Sequence, residues 1–164
     1  MPTPNENLHN PLRNHLVNLL RGGQAHLQFD DAVQGIPIAL RGKRPKGAAH
    51  SPWELLEHLR IAQSDILEFS RNPKHKSPDW PEGYWPTLPA PPTRSAWKES
   101  ADAFRADLEA MIALVRNPKT DLFAKLPHGT GQTLLREALL VADHNAYHLG
   151  QLATVKHQLL RGTR

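Results

Sequence analysis

Apolar residues recur at helical spacing in four stretches of the chain, and no stretch alternates as a half-buried strand does. Leu12, Leu16 and Leu19 fall at i, i+4 and i+7 behind Asn10-Pro11, a good N-cap followed by a first-turn proline. Gly22-Gly23 interrupts the helical preference, but residues 25–33 resume it. A single helix over 10–33 is therefore expected, ended by Ile36-Pro37. The second stretch opens on Ser51-Pro52-Trp53-Glu54, a capping box with proline at N1, and continues through Leu55, Leu59, Ala62, Ile66 and Phe69. Asn72-Pro73 stops it, which predicts a helix over 51–71.

The third stretch follows Thr93. Trp97, Ala101, Phe104, Leu108, Met111 and Val115 step by four and three, as in a bundle core, and predict a helix over 93–116. The fourth begins near Thr130 or Thr133 and is almost continuously apolar from Leu134 to Ala142. It predicts a helix over 132–161 that closes on Arg161-Gly162. Four helices without strands predict an all-α four-helix bundle, formed as one domain over residues 1–164.

One connection is out of the ordinary. Residues 73–92 are rich in proline and carry Trp80, Tyr84 and Trp85. A loop of this length serves as a cover or a crossover. At about 3.3 Å per extended residue it can run the length of a bundle, so the helices it joins need not be antiparallel.

Composition narrows the chemistry. In 164 residues there is no cysteine, which excludes disulfides, thiolate metal sites and a cysteine nucleophile. A metal must then be held by imidazole, carboxylate, carbonyl or water, and any thiol must arrive with a substrate or cofactor. No apolar run approaches the roughly 20 residues needed to cross a bilayer. The opening residues have neither the basic start nor the apolar stretch of a signal peptide, so a cytoplasmic location without membrane contact is expected. The net charge of +4 raises a nucleic-acid reading. The positive residues are dispersed, however, and recognition motifs are absent. The one cluster, Arg41, Lys43, Arg44 and Lys46, lies in a Gly- and Pro-containing segment. It reads as a solvated loop or as an attractor of anionic ligands.

The strongest candidate chemistry is imidazole. His144 and His148 stand four apart on the last predicted helix, on one face and about 5–6 Å apart at Cβ. Ten histidines in this chain produce about 0.6 such pairs by chance, so spacing alone decides nothing. Placement adds more. His144 and His148 interrupt an apolar stripe of Val141, Leu152 and Val155, and His58 interrupts another between Leu55 and Ala62. A buried polar group without a partner costs about 1–3 kcal/mol. A shared ion would satisfy three such rings together; separate hydrogen bonds or partial exposure would satisfy each alone. His26 joins the set of candidates if the first helix is continuous past the glycines. Asp143, Glu57, Asp65 and Tyr147 neighbour the histidines without the placement of a general base.

The segments Ser51-Pro52-Trp53-Glu54-Leu55-Leu56-Glu57-His58-Leu59 and Ala142-Asp143-His144-Asn145-Ala146-Tyr147-His148-Leu149-Gly150-Gln151-Leu152 resemble those of the DinB-like superfamily of metalloenzymes, the DNA-damage-inducible and YfiT-like group. The resemblance implies an up-down-down-up bundle, often dimeric, with a divalent metal on three histidines that map onto His58, His144 and His148. Three imidazoles suit zinc or nickel ahead of iron. The resemblance also implies a small-molecule substrate and a low-molecular-weight thiol, because family members with known activity include thiol-dependent S-transferases and an isomerase. A non-catalytic, metal-stabilised binding or stress protein is the competing expectation.

Overall fold

The computed structural model describes residues 4–162. Among them are five α-helices and no strand: α1 (Pro4–Arg21), α2 (Phe29–Val33), α3 (Pro52–Arg71), α4 (Ala96–Arg116) and α5 (Leu134–Arg161). The last three lie where the periodicity places them. Thr93 Oγ1 accepts a hydrogen bond from Ala96 N ahead of α4, and Thr133 Oγ1 accepts from Arg136 N as the N-cap of α5.

The expected helix over 10–33 is corrected. It starts earlier, at Pro4, so Pro11 lies inside α1, where its missing N–H forfeits one backbone bond. It also ends earlier. Gly22 and Gly23 take φ of 68° and 80°, a left-handed turn that side-chain-bearing residues resist, and the chain leaves the α1 axis there. Residues 29–33 form the separate short α2, whose Phe29, Ala32 and Val33 are buried.

Helices α1 and α3 each pack against both α4 and α5. The first halves of α3 and α4 share one apolar cluster with the later part of α5, through Leu55, Leu59, Trp97, Phe104, Leu149 and Leu152. Their second halves share another with α1 and the start of α5, through Leu16, Leu20, Leu67, Met111, Val115 and Val141. α3 and α4 therefore run in the same direction, and α5 runs against both. A parallel pair needs a connection as long as the bundle, and residues 73–92 supply it. That connection is pinned at the start of α3, where Ser51 Oγ donates to Pro89 O. It also presses on the basic segment so closely that a Cβ on Gly42 would collide with the Ala90 side chain.

Candidate metal centre

Two locally determined helix segments bring the histidines together. The N-terminus of α3 is held by reciprocal bonds: Ser51 Oγ accepts from Glu54 N at 3.2 Å, and Glu54 Oε2 accepts from Ser51 N at 2.7 Å. Arg44 pairs with the same buried carboxylate. His58 follows two turns later with its neighbours Leu55 and Leu59 in the core. On α5, His144 and His148 sit one turn apart between the fully buried Val141 and Leu152.

Across the α3–α5 contact the three rings converge. His58 Nε2 lies 3.1 Å from His148 Nε2 and 3.1 Å from His144 Nε2. Among the described residues these three form a group able to hold a metal ion, with their ligand atoms all within 4.8 Å of one another. No carboxylate joins the group.

The hydrogen bonds on the far side of two rings fix their tautomers. His58 Nδ1 lies 2.8 Å from Tyr84 O, and His148 Nδ1 lies 2.8 Å from Gln151 Oε1. Each oxygen only accepts, so each Nδ1 carries the proton and each Nε2 is a bare lone pair. Two such lone pairs facing at 3.1 Å repel unless a cation or a proton lies between them. A tetrahedral zinc with nitrogens at about 2.0–2.1 Å would set them about 3.3 Å apart, so this pair needs little adjustment to accept an ion.

The site also keeps its imidazoles neutral. Burial, followed by the neighbouring His148 and His58, pushes His144 down to about 3, with a side-chain contact from Asn145 working the other way. Burial, then His58, pushes His148 down to about 4 against the support of Gln151. Burial lowers His58 as well, opposed by the Tyr84 carbonyl. Neutral rings with free Nε2 atoms are the form that binds metal.

The long connection covers this centre. Trp85 stacks on His58 with ring centroids 3.9 Å apart, and its other face takes His50, also at 3.9 Å. Tyr84 supplies its carbonyl to His58 and donates its hydroxyl to Asp65 at 2.7 Å. Burial and the Asp65 carboxylate push that hydroxyl up to about 12. Asp65 also pairs with His75 at 2.7 Å, so one carboxylate anchors the connection at two points.

Beside the centre is an open cavity of about 690 Å³, the size of a small-molecule site. Lys46, His50, Leu55, Tyr147, Gln151 and Thr154 are among its lining residues, which include no carboxylate. Three of them reach the histidines. Gln151 accepts from His148, Tyr147 sets its ring edge-on to His148 at 4.8 Å, and His50 shares Trp85 with His58.

The remaining candidates separate from the centre. His26 is exposed and bonds Leu27 O, because α1 stops before it. Glu57 pairs with Arg60 along α3, and Asp143 is exposed. Asp65 stands apart from the three rings and anchors Tyr84 and His75. Two of the four cluster cations have structural tasks: Arg41 lies over the Trp97 ring and donates to Ile36 O, and Arg44 holds Glu54. Sequence reasoning missed Tyr84 O, Trp85, His50, Gln63 and Asn145 as neighbours of the site. A backbone carbonyl leaves no signal in sequence. Trp85 and His50 stack beside His58, and Gln63 holds Asn145, through contacts that local patterns do not encode.

The family model described as the DinB superfamily matches residues 24–152, a span that contains all three histidines. No curated protein and no solved structure matches the chain.

Proposed function

The chain belongs to the DinB superfamily, and we propose that it is a metal-dependent enzyme in which His58, His144 and His148 hold a divalent ion, zinc or nickel ahead of iron. The observation that carries this reading is the pair of bare Nε2 lone pairs 3.1 Å apart in a buried site of neutral rings. The parallel α3–α4 pair and the antiparallel α5 support an up-down-down-up four-helix bundle, to which α2 is a short addition.

Three protein ligands leave a coordination position open, the pattern of catalytic rather than closed structural sites. An ion held there supplies Lewis acidity and lowers the pKa of a water or thiol that reaches it. Because the chain has no cysteine, a reaction with thiol chemistry takes its thiol from a small molecule. We therefore read the activity as a transferase or related reaction between a low-molecular-weight thiol and a second small substrate.

The residues around the ion have separable tasks. Tyr84 O and Gln151 hold two rings with Nε2 turned inward. Trp85 excludes water from one face of His58. The cavity takes the substrate, and Lys46 on its wall, which has no carboxylate partner among the described residues, favours a carboxylated one. Family membership further supports a homodimer, and we read the location as cytoplasmic. Among the described residues, no helix is long and apolar enough to cross a membrane. A nucleic-acid role has little support, because Arg41 and Arg44 are already engaged.

Elemental analysis of protein purified without a histidine tag tests the reading. One ion per chain is expected, and His144→Ala should abolish it; unchanged stoichiometric metal in that variant would sink the proposal. A second reading, an ion that only fastens α3 to α5, has the burial of the centre in its favour. Turnover of electrophilic substrates with added thiol, lost on removal of metal, decides for the enzyme. Lys46→Met should then weaken carboxylated substrates about tenfold, the loss of one charged hydrogen bond, without changing metal content.

A further inference from the structure

Two of the three histidines have a visible partner on the ring atom that faces away from the ion, and the third does not. His144 Nδ1 is buried and has no well-formed hydrogen bond. Next to it in the chain, Asn145 Oδ1 is also buried and also lacks one. A donor and an acceptor left over side by side in a core are complementary halves of one bond. Adjacent helical positions ordinarily diverge, so a device is needed to aim the amide.

Gln63 is that device. It is fully buried on α3, and its Nε2 donates to Phe104 O on α4 at 2.7 Å. That bond leaves only Oε1 to face Asn145, which donates its Nδ2 at 2.8 Å. With Nδ2 committed, Asn145 has its oxygen free and cannot turn its nitrogen to the histidine without losing the bond to Gln63. The amide orientation is thus transmitted from a helix carbonyl on α4, through α3, to the ligand helix α5.

We propose that Asn145 is the positioning residue for His144, its amide oxygen aimed by Gln63 to accept the Nδ1 proton and so present Nε2 to the ion. Metal-binding histidines regularly donate their second N–H to such a partner, and loss of the partner weakens metal affinity by about 10- to 100-fold. The three rings then have three different supports: a loop carbonyl, a side chain on their own helix, and a relay that crosses the core.

The affinity arm of the test rests on the metal reading; the tautomer arm does not. Zinc affinity should fall 10- to 100-fold in Asn145→Leu and stay within a few-fold of wild type in Asn145→Asp, which retains an acceptor. Gln63→Leu should fall with Asn145→Leu although it touches no ligand, and it serves if Asn145→Leu fails to fold. Long-range ¹H–¹⁵N spectra read the ring directly. In zinc-loaded protein, the His144 Nδ1–H signal should be protected from exchange. Asn145→Leu should expose it, with the His58 and His148 signals unmoved. Unchanged affinity and an unchanged His144 signal in both leucine variants would overturn the relay. If the histidines bind no zinc, the metal reading fails by itself. The relay is then judged on metal-free protein, where Gln63 still aims the amide: a His144 tautomer ratio that shifts toward Nε2–H in both leucine variants supports it, and an unchanged ratio overturns it.

Discussion

The two ends of the helical core are built from different materials. The end formed by α1, the second halves of α3 and α4 and the start of α5 is nearly pure hydrocarbon, with Leu67, Met111, Val115, Leu122 and Val141 fully buried. Two buried charged groups interrupt it: Arg13 donates to the carbonyls of Val115 and Thr120, and Glu137 pairs with Arg136. The other end spends much of its interior on polar groups: three imidazoles with depressed proton affinity, and Gln63 and Asn145 behind them. Burying polar groups costs stability unless each finds a partner. Apolar burial at both ends, including Leu55, Leu59, Phe104 and Leu152 around the histidines, holds the fold together, which lets the centre keep facing lone pairs that stabilise little without an ion.

Substitutions should separate the two ends sharply. Leu67→Ala at the apolar end should cost about 2–5 kcal/mol in denaturant unfolding, with metal content per folded chain unchanged. His148→Ala at the other end should show the reverse: metal is lost, while the metal-free protein changes far less than with Leu67→Ala. An equal loss of metal-free stability in the two variants would erase the contrast. Adding zinc at about 100 times its dissociation constant should raise wild-type stability by about 2.7 kcal/mol and leave His148→Ala where it was.

Acid should act mainly at the histidine end. The proton affinities of His144 and His148 are lowered on folding from 6.5 to about 3 and about 4. The unfolded chain therefore binds more protons in this window, and stability falls as pH drops from about 6.5 toward 4. The stability is fully present above 6.5. Each group steepens the loss by up to about 1.4 kcal/mol per pH unit, so metal-free protein lacking all three histidines should show a flatter profile. A profile equally steep in that variant would move the acid sensitivity elsewhere.

The smallest expected effect concerns the cover. Tyr84→Phe removes the hydroxyl bond to Asp65 and keeps the carbonyl on His58. About 1 kcal/mol of stability should go, with near-normal zinc content. Loss of zinc in this variant would mean that the anchored hydroxyl, rather than the carbonyl, sets the ring.

Much of this division was legible along the chain. Ser51-Pro52-Trp53-Glu54 encodes the start of α3 because a capping box needs only four neighbouring residues. The 3.6-residue periodicity encodes the buried faces of α3, α4 and α5, and with them the inward placement of His58, His144 and His148. The end of α1 departs from the periodicity because glycine permits a left-handed turn without requiring one, and only the packing of Phe29 and Val33 against other helices selects it. Local sequence, then, determined α3, α4 and α5 and which of their rings face the core. Tertiary structure alone decided what each ring meets there: Tyr84 O from 26 residues away, Gln63 against Asn145 from 82 residues away, and Trp85 between two histidines. Hydrogen-bond partners and tautomers are set by distances across the fold, and no spacing along one helix contains them.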